Sequence, residues 1–104
     1  MPRNYSEQFL LDLFNNSSDG IGIQLGKACV KANLPGSYVA RALEVSSVTI
    51  YNWIRGKPVN PKYHKKIEAM LALIEFDTTR GMLPARSMLD AKQYIDSLTG
   101  APTS

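Results

Sequence analysis

Val39–Gly56 reads VARALEVSSVTIYNWIRG, and its apolar positions fall into two short helical registers separated by a tight turn. Val39, Ala40, Leu43, Val45, Ile50 and Trp53 stand where two crossing helices bury their side chains. At about 100° per residue, Ser47, Val48, Tyr51, Asn52 and Arg55 are left on the other side of the second helix. Ala40 is small where the two helices approach most closely, and Leu43 and Val45 bracket the turn from below. Ser46 stands one residue before the second helix, where its hydroxyl can accept a backbone N–H of the first turn. Ile50, Trp53 and Ile54, spaced i, i+3, i+4, form the inward stripe. Gly56 ends that helix, because glycine enters the left-handed region without Cβ strain, and Pro58 blocks its continuation. A helix held this way, polar side outward, has the geometry that enters the major groove of DNA.

Ala40–Lys57 resembles the Cro and lambda-repressor class of helix-turn-helix domains, whose segments read A-x-x-L-G-V-S-x-x-T-I-S-x-W-E-x-G-K. The shared positions are Ala40, Leu43, Val45, Ser46, Thr49, Ile50, Trp53, Gly56 and Lys57. Looser similarity runs from about Ile23 to Leu71, roughly half the chain. Two positions depart from the pattern. Glu44 stands where the family has its turn glycine, so a non-glycine residue must make the turn. Gly36 stands where a phosphate-touching glutamine often opens the preceding helix, which leaves Ser37 or Tyr38 to replace that contact. The resemblance implies a lambda-repressor-like all-α domain that regulates transcription from an operator in a bacterium or a bacteriophage.

Charge is concentrated on the same segment. The net charge is only +3. From Lys27 to Lys66, however, eight basic residues face a single acid, Glu44, while the rest of the chain carries four basic residues against eight acids. A polyanion is drawn to the basic half, and sequence-independent phosphate contacts supply much of the affinity of DNA-binding proteins.

Working outward, the chain shows five to six helices and no convincing strand, the pattern of one all-α helical bundle. A first helix is expected from about Asn4 to Phe14, with Tyr5, Phe9, Leu10, Leu13 and Phe14 as its apolar stripe. Asn15–Gly20 is a polar loop in which Asp19 can cap the next helix, about Gly22–Asn33. Ile23, Leu25, Cys29, Val30 and Ala32 are apolar there, and Lys27 and Lys31 face water. After the helical pair, Asn60–Pro61 opens a helix that reaches about Thr78, asparagine capping and proline at the first position. It has two apolar stripes: Tyr63, Ile67, Met70, Leu71 and Ile74, and Ala69, Leu73 and Phe76. Both need burial, one on the core, the other on the C-terminal helix or a second copy of the chain. Arg80–Arg86 breaks the pattern. Ser87–Asp90 reads as a capping box for a last helix with Met88, Leu89, Ile95 and Leu98 apolar, ended by Gly100. The expected division is an N-terminal helix and loop (1–20), the helix-turn-helix region (21–78) and a C-terminal helix (79–104), within one domain.

The expected reading of DNA follows from side-chain chemistry. Asn52 can pair bidentately with adenine, Ser47 can donate to or accept from a base, Val48 offers an apolar surface to a thymine methyl, and Tyr51 can reach a base or donate its hydroxyl to a phosphate. Ser37, Arg55, Lys57, Lys62, Lys65 and Lys66 are the expected phosphate contacts, which fix register without reading sequence. One recognition helix covers few base pairs, so a homodimer paired through the C-terminal helices is expected on half-sites one helical turn apart. The C-terminal region can instead complete the core of a single copy, and both readings stand on the sequence.

The longest apolar run, Ala69–Ile74, is six residues, so no membrane partner is expected. MPRNYSEQ has no apolar signal region, which points to the cytoplasm. Cys29 is the only cysteine, without a metal-spaced companion, and His64 lies beside two lysines. No phosphate loop and no nucleophile–base arrangement is present, so neither an enzyme, a cofactor nor a small-molecule substrate is expected. A protein-interaction module on the same fold, binding a polymerase, a repressor or a host factor, is the rival reading. An accessory protein of phage DNA packaging or recombination is another.

Overall fold

Trp53 turns its indole into the protein, against the Tyr63 ring 5.2 Å away. The computed structural model describes residues 6–15 and 20–99. Among them are six α-helices and no strand: α1 (Glu7–Asn15), α2 (Ile21–Lys31), α3 (Gly36–Ala42), α4 (Ser47–Ile54), α5 (His64–Thr79) and α6 (Met88–Thr99). A single 3-10 turn, Pro61–Tyr63, leads into α5.

α2 is the hub. It packs on α1, α3, α4 and α5 and buries Ile23, Leu25 and Cys29. Its approach to α4 is so close that a Cβ at Gly22 would lie 2.3 Å from the Trp53 carbonyl oxygen, and one at Gly26 would lie 2.6 Å from Ile54 Cγ2. Two glycines four residues apart therefore form the slot that seats α4. The core is completed by Leu34, Val39, Ala40, Leu43, Ile50, Ile54, Ile67, Met70, Ile74, Ala91 and Ile95. Val45 packs against this cluster but is only partly buried.

The helix ends follow local chemistry. Ser46 Oγ accepts from Thr49 N at 3.1 Å, and Asn60 Oδ1 accepts from Lys62 N at 3.1 Å. Ser87 Oγ accepts from Asp90 N at 3.0 Å, but the Asp90 carboxylate returns to Arg86 N rather than to Ser87. The start of α2 is capped by Gly20 without a side-chain bond; Asp19, Tyr5 and Gly100 lie outside the described residues. Ser6 Oγ accepts from Phe9 N and holds the start of α1.

Three expectations about packing are corrected. On α1 only Leu13 is buried, while Phe9 and Leu10 are half-buried and Phe14 is exposed. On α6 the inward row is Ala91, Tyr94, Ile95 and partly Leu98, whereas Met88 and Leu89 face water, Leu89 at 63% exposure. The row is set by two polar ties that periodicity does not display. Tyr94 donates to Asp77 Oδ2 at 2.6 Å, and Asp96 accepts from Arg41 of α3. The Asp96 tie lays α6 on α3 and the Tyr94 tie holds it to α5; on the second stripe of α5, Ala69 and Phe76 are exposed and Leu73 is half-buried.

Candidate nucleic-acid interface

α3 and α4 are joined by Leu43–Ser46, and the joint is a Schellman turn. Val45 N bonds Ala40 O at 2.9 Å and Glu44 N bonds Arg41 O at 3.2 Å, with Glu44 in the left-handed region at φ 61°. Satisfying the last carbonyls of α3 in this way reverses the chain within four residues. Glutamate occupies the glycine position without altering the turn type; the left-handed conformation costs an L-residue roughly 1–2 kcal/mol. The same motif, with Gly56 at φ 103°, ends α4.

α4 then exposes one side. Ile50, Trp53 and Ile54 are buried. Ser47 and Arg55 are exposed, Asn52 is half-buried and Val48 is 71% exposed. Ser37 is exposed on the first turn of α3, and Lys57 is exposed just past α4. This group leaves polar and apolar side chains of different hydrogen-bonding character side by side on one short helix.

Tyr51 is half-buried on that side, packed against other elements. Its ring lies over Gly36, where a Cβ would come within 2.9 Å of Cζ. Burial is the largest influence on its pKa and raises it, while the Gly36 backbone acts in the opposite direction. The Phe9 ring of α1 meets it edge-on at 6.1 Å. The missing side chain at Gly36, at the start of α3, is what makes room for the phenol. Proline followed by glycine ahead of a helix is the only sequence signal of this seat, and it reads equally as a helix start.

The basic residues divide in the same way. Lys57, Lys62 and Lys65 are exposed, with Lys62 Nζ lying 5.1 Å from the centre of the Tyr63 ring. Lys66 is already engaged, its Nζ 3.1 Å from Glu44 Oε2. Arg41, counted in the basic stretch, is held by Asp96. Acidic α1 flanks the far end of α4: Asp12, Phe9 and Leu13 line a cleft of about 250 Å³ with Ile54 and Arg55.

The remaining reactive groups have structural surroundings. Cys29 is fully buried, and desolvation pushes its thiol up to about 12. His64 Nε2 lies 3.2 Å from the Val59 carbonyl. Among the described residues, no three His, Cys, Asp or Glu side chains are grouped to hold a metal ion, and no helix is long and apolar enough to cross a membrane. No protein-family model, curated protein or solved structure matches this chain.

Proposed function

We propose that this chain binds double-stranded DNA sequence-specifically, placing α4 in the major groove, and acts as a small transcriptional regulator of the helix-turn-helix, lambda-repressor-like kind. The observation that carries the proposal is the division of α4: Trp53 and Ile50 are buried, Ser47 and Val48 are exposed, and Asn52 is half-buried beside them. Asn52 then reads adenine, Val48 a thymine methyl and Ser47 a base edge. Ser37, Arg55, Lys57, Lys62 and Lys65 anchor phosphates. Tyr51 and Lys66 are left out of the reading, because one is packed on Gly36 and Phe9 and the other is paired with Glu44. Two copies bind two half-sites, since an eight-residue helix is only about 12 Å long.

Selection of bound sequences from a random duplex pool tests this. The expected result is a convergent motif with two-fold symmetry, bound with a log K that falls against log salt by about 0.9 for each phosphate neutralised. A pool that never enriches overturns the proposal. The exposed Leu11 and Phe14 on α1 favour a second reading, a module that binds a protein partner. That reading predicts recovery of one stoichiometric protein together with negligible DNA affinity.

A further inference from the structure

α4 is held from within by its buried side and from without by one ring. Ile50, Trp53 and Ile54 are buried on the inner side, where Gly22 and Gly26 let α2 approach. Tyr51 follows Ser47 at i+4 and Val48 at i+3, and so shares their side of the helix. It is half-buried there, and two elements outside α4 receive its ring. The start of α3 is one: a Cβ at Gly36 would lie 2.9 Å from Cζ, 3.0 Å from the phenol oxygen and 3.2 Å from Cε1. α1 is the other: the Phe9 ring meets it at 6.1 Å with the planes 79° apart. Edge-to-face aromatic pairs prefer a particular angle as well as close approach, so this contact resists turning and not only separation.

The inner side chains set how deep α4 lies, and a contact on its flank sets its roll about its own axis. Side chains reach about 5–6 Å from a helix axis, so a roll of about 20° carries their ends about 2 Å sideways. The lengths of N–H···O hydrogen bonds span only about 0.5 Å. A roll of that size therefore takes an amide away from a base edge. We propose that Tyr51 is a positioning residue: wedged between Gly36 of α3 and Phe9 of α1, it sets the roll of α4 and thereby the place of Val48 and Asn52. The inference rests on the DNA reading of α4. It also gives α1 a part in that reading. Glu7 and Asp12 make α1 unsuited to touching phosphate, and the helix acts through Phe9 instead. Gly36 gains a physical reason as well, since any side chain there would take the space of the phenol.

Residual dipolar couplings of the backbone N–H groups of the full chain test this, because they report the orientation of each helix without DNA. Gly36→Ala is the first variant. Its Cβ meets the far end of a side chain, so the ring swings away and the fold is kept. Phe9→Ala, which removes the second support, is the next. In both, the couplings of α4 are expected to change against those of α2 and α5, whereas Tyr51→Phe, which keeps the ring, leaves them in place. In competition between the selected duplex and random duplex, Gly36→Ala and Phe9→Ala should lower the preference for the selected site about tenfold, the worth of one bidentate base contact. The salt slope stays that of the wild type, because no phosphate contact is removed, and Tyr51→Phe retains the preference. Unaltered α4 couplings in either alanine variant overturn the proposal. So does an unaltered preference in variants whose α4 has turned. A turned α4, in a protein that enriches no DNA sequence, upholds the positioning by Tyr51 and removes the regulator reading alone.

Discussion

Arg41 Nη2 lies 2.6 Å from Asp96 Oδ1, and this one contact ties α3, the support of the outward helix, to α6 at the far end of the chain. The Asp96 carboxylate is 3% exposed, and Lys92 Nζ reaches its second oxygen at 2.9 Å. Both cations are about half-exposed, so the desolvated partner is the acid. A buried carboxylate flanked by two donors fixes the angle at which α6 crosses α3.

The acid limb of stability should report this contact. The hydrogen bond from Lys92, then the charges of Lys92 and Arg41, hold the Asp96 carboxyl below its ordinary 3.8 against the opposing effect of burial. A folded-state value below the unfolded one stabilises the protein fully above the unfolded value, and the contribution is lost as pH falls through the folded one. Urea midpoints measured from neutral pH down into acid should therefore fall in the wild type. Asp96→Asn should start lower at neutral pH and lose part of that acid dependence. Superimposable pH profiles would show that the contact contributes nothing.

Trp53→Ala should cost about 3–5 kcal/mol in equilibrium unfolding, since a buried aromatic is lost and its cavity cannot collapse onto backbone already in contact. An unchanged denaturation midpoint would mean that the inward and outward sides of α4 are reversed.

Glu44→Gly should change stability little, with a net gain of about 0.3 kcal/mol from the mid-range of the opposing effects, measured in dilute solution. Relief of the left-handed conformation is worth roughly 1–2 kcal/mol. Against it stand the entropy of an added glycine, about 0.5–1 kcal/mol, and an exposed ion pair to Lys66 worth about 0–1 kcal/mol. A clear loss of stability would assign the turn more to the Lys66 contact than to backbone geometry.

Asn52→Ala should weaken binding to the selected DNA site by about 1–3 kcal/mol and leave random DNA unaffected. Lys57→Ala should weaken both alike and lower the salt slope by about one. Equal losses on both DNAs for Asn52→Ala would take this residue out of base reading.

Caps and turns were legible because they depend on neighbours in sequence. Ser46, Asn60 and Ser87 each cap the element that follows, as their hydroxyl or amide chemistry requires. The inward positions Val39, Ala40, Leu43, Ile50 and Trp53 were legible for a related reason: residues three and four apart on a helix must share a side. Tyr51 was not. Helical angle places it beside Asn52, but whether a side chain stands free depends on what another element brings to it, here Gly36 and Phe9. The register of α6 was misread on Met88 and Leu89 because hydropathy does not weigh a tyrosine and an aspartate that find partners. Tyr94 and Asp96 are buried through Asp77 and Arg41, residues 17 and 55 positions away.

The amino-acid order alone determined that this protein is a bundle of helices and which side of α4 turns inward, because periodicity, capping and the left-handed turn act over a few residues. Tertiary structure alone decided the slot that Gly22 and Gly26 make for α4, the burial of Asp77 and Asp96, the seat of Tyr51 and the exposure of Ala69 and Phe76 on α5. Each of these depends on where a distant backbone lies, and a short-range pattern carries no information about distance between elements.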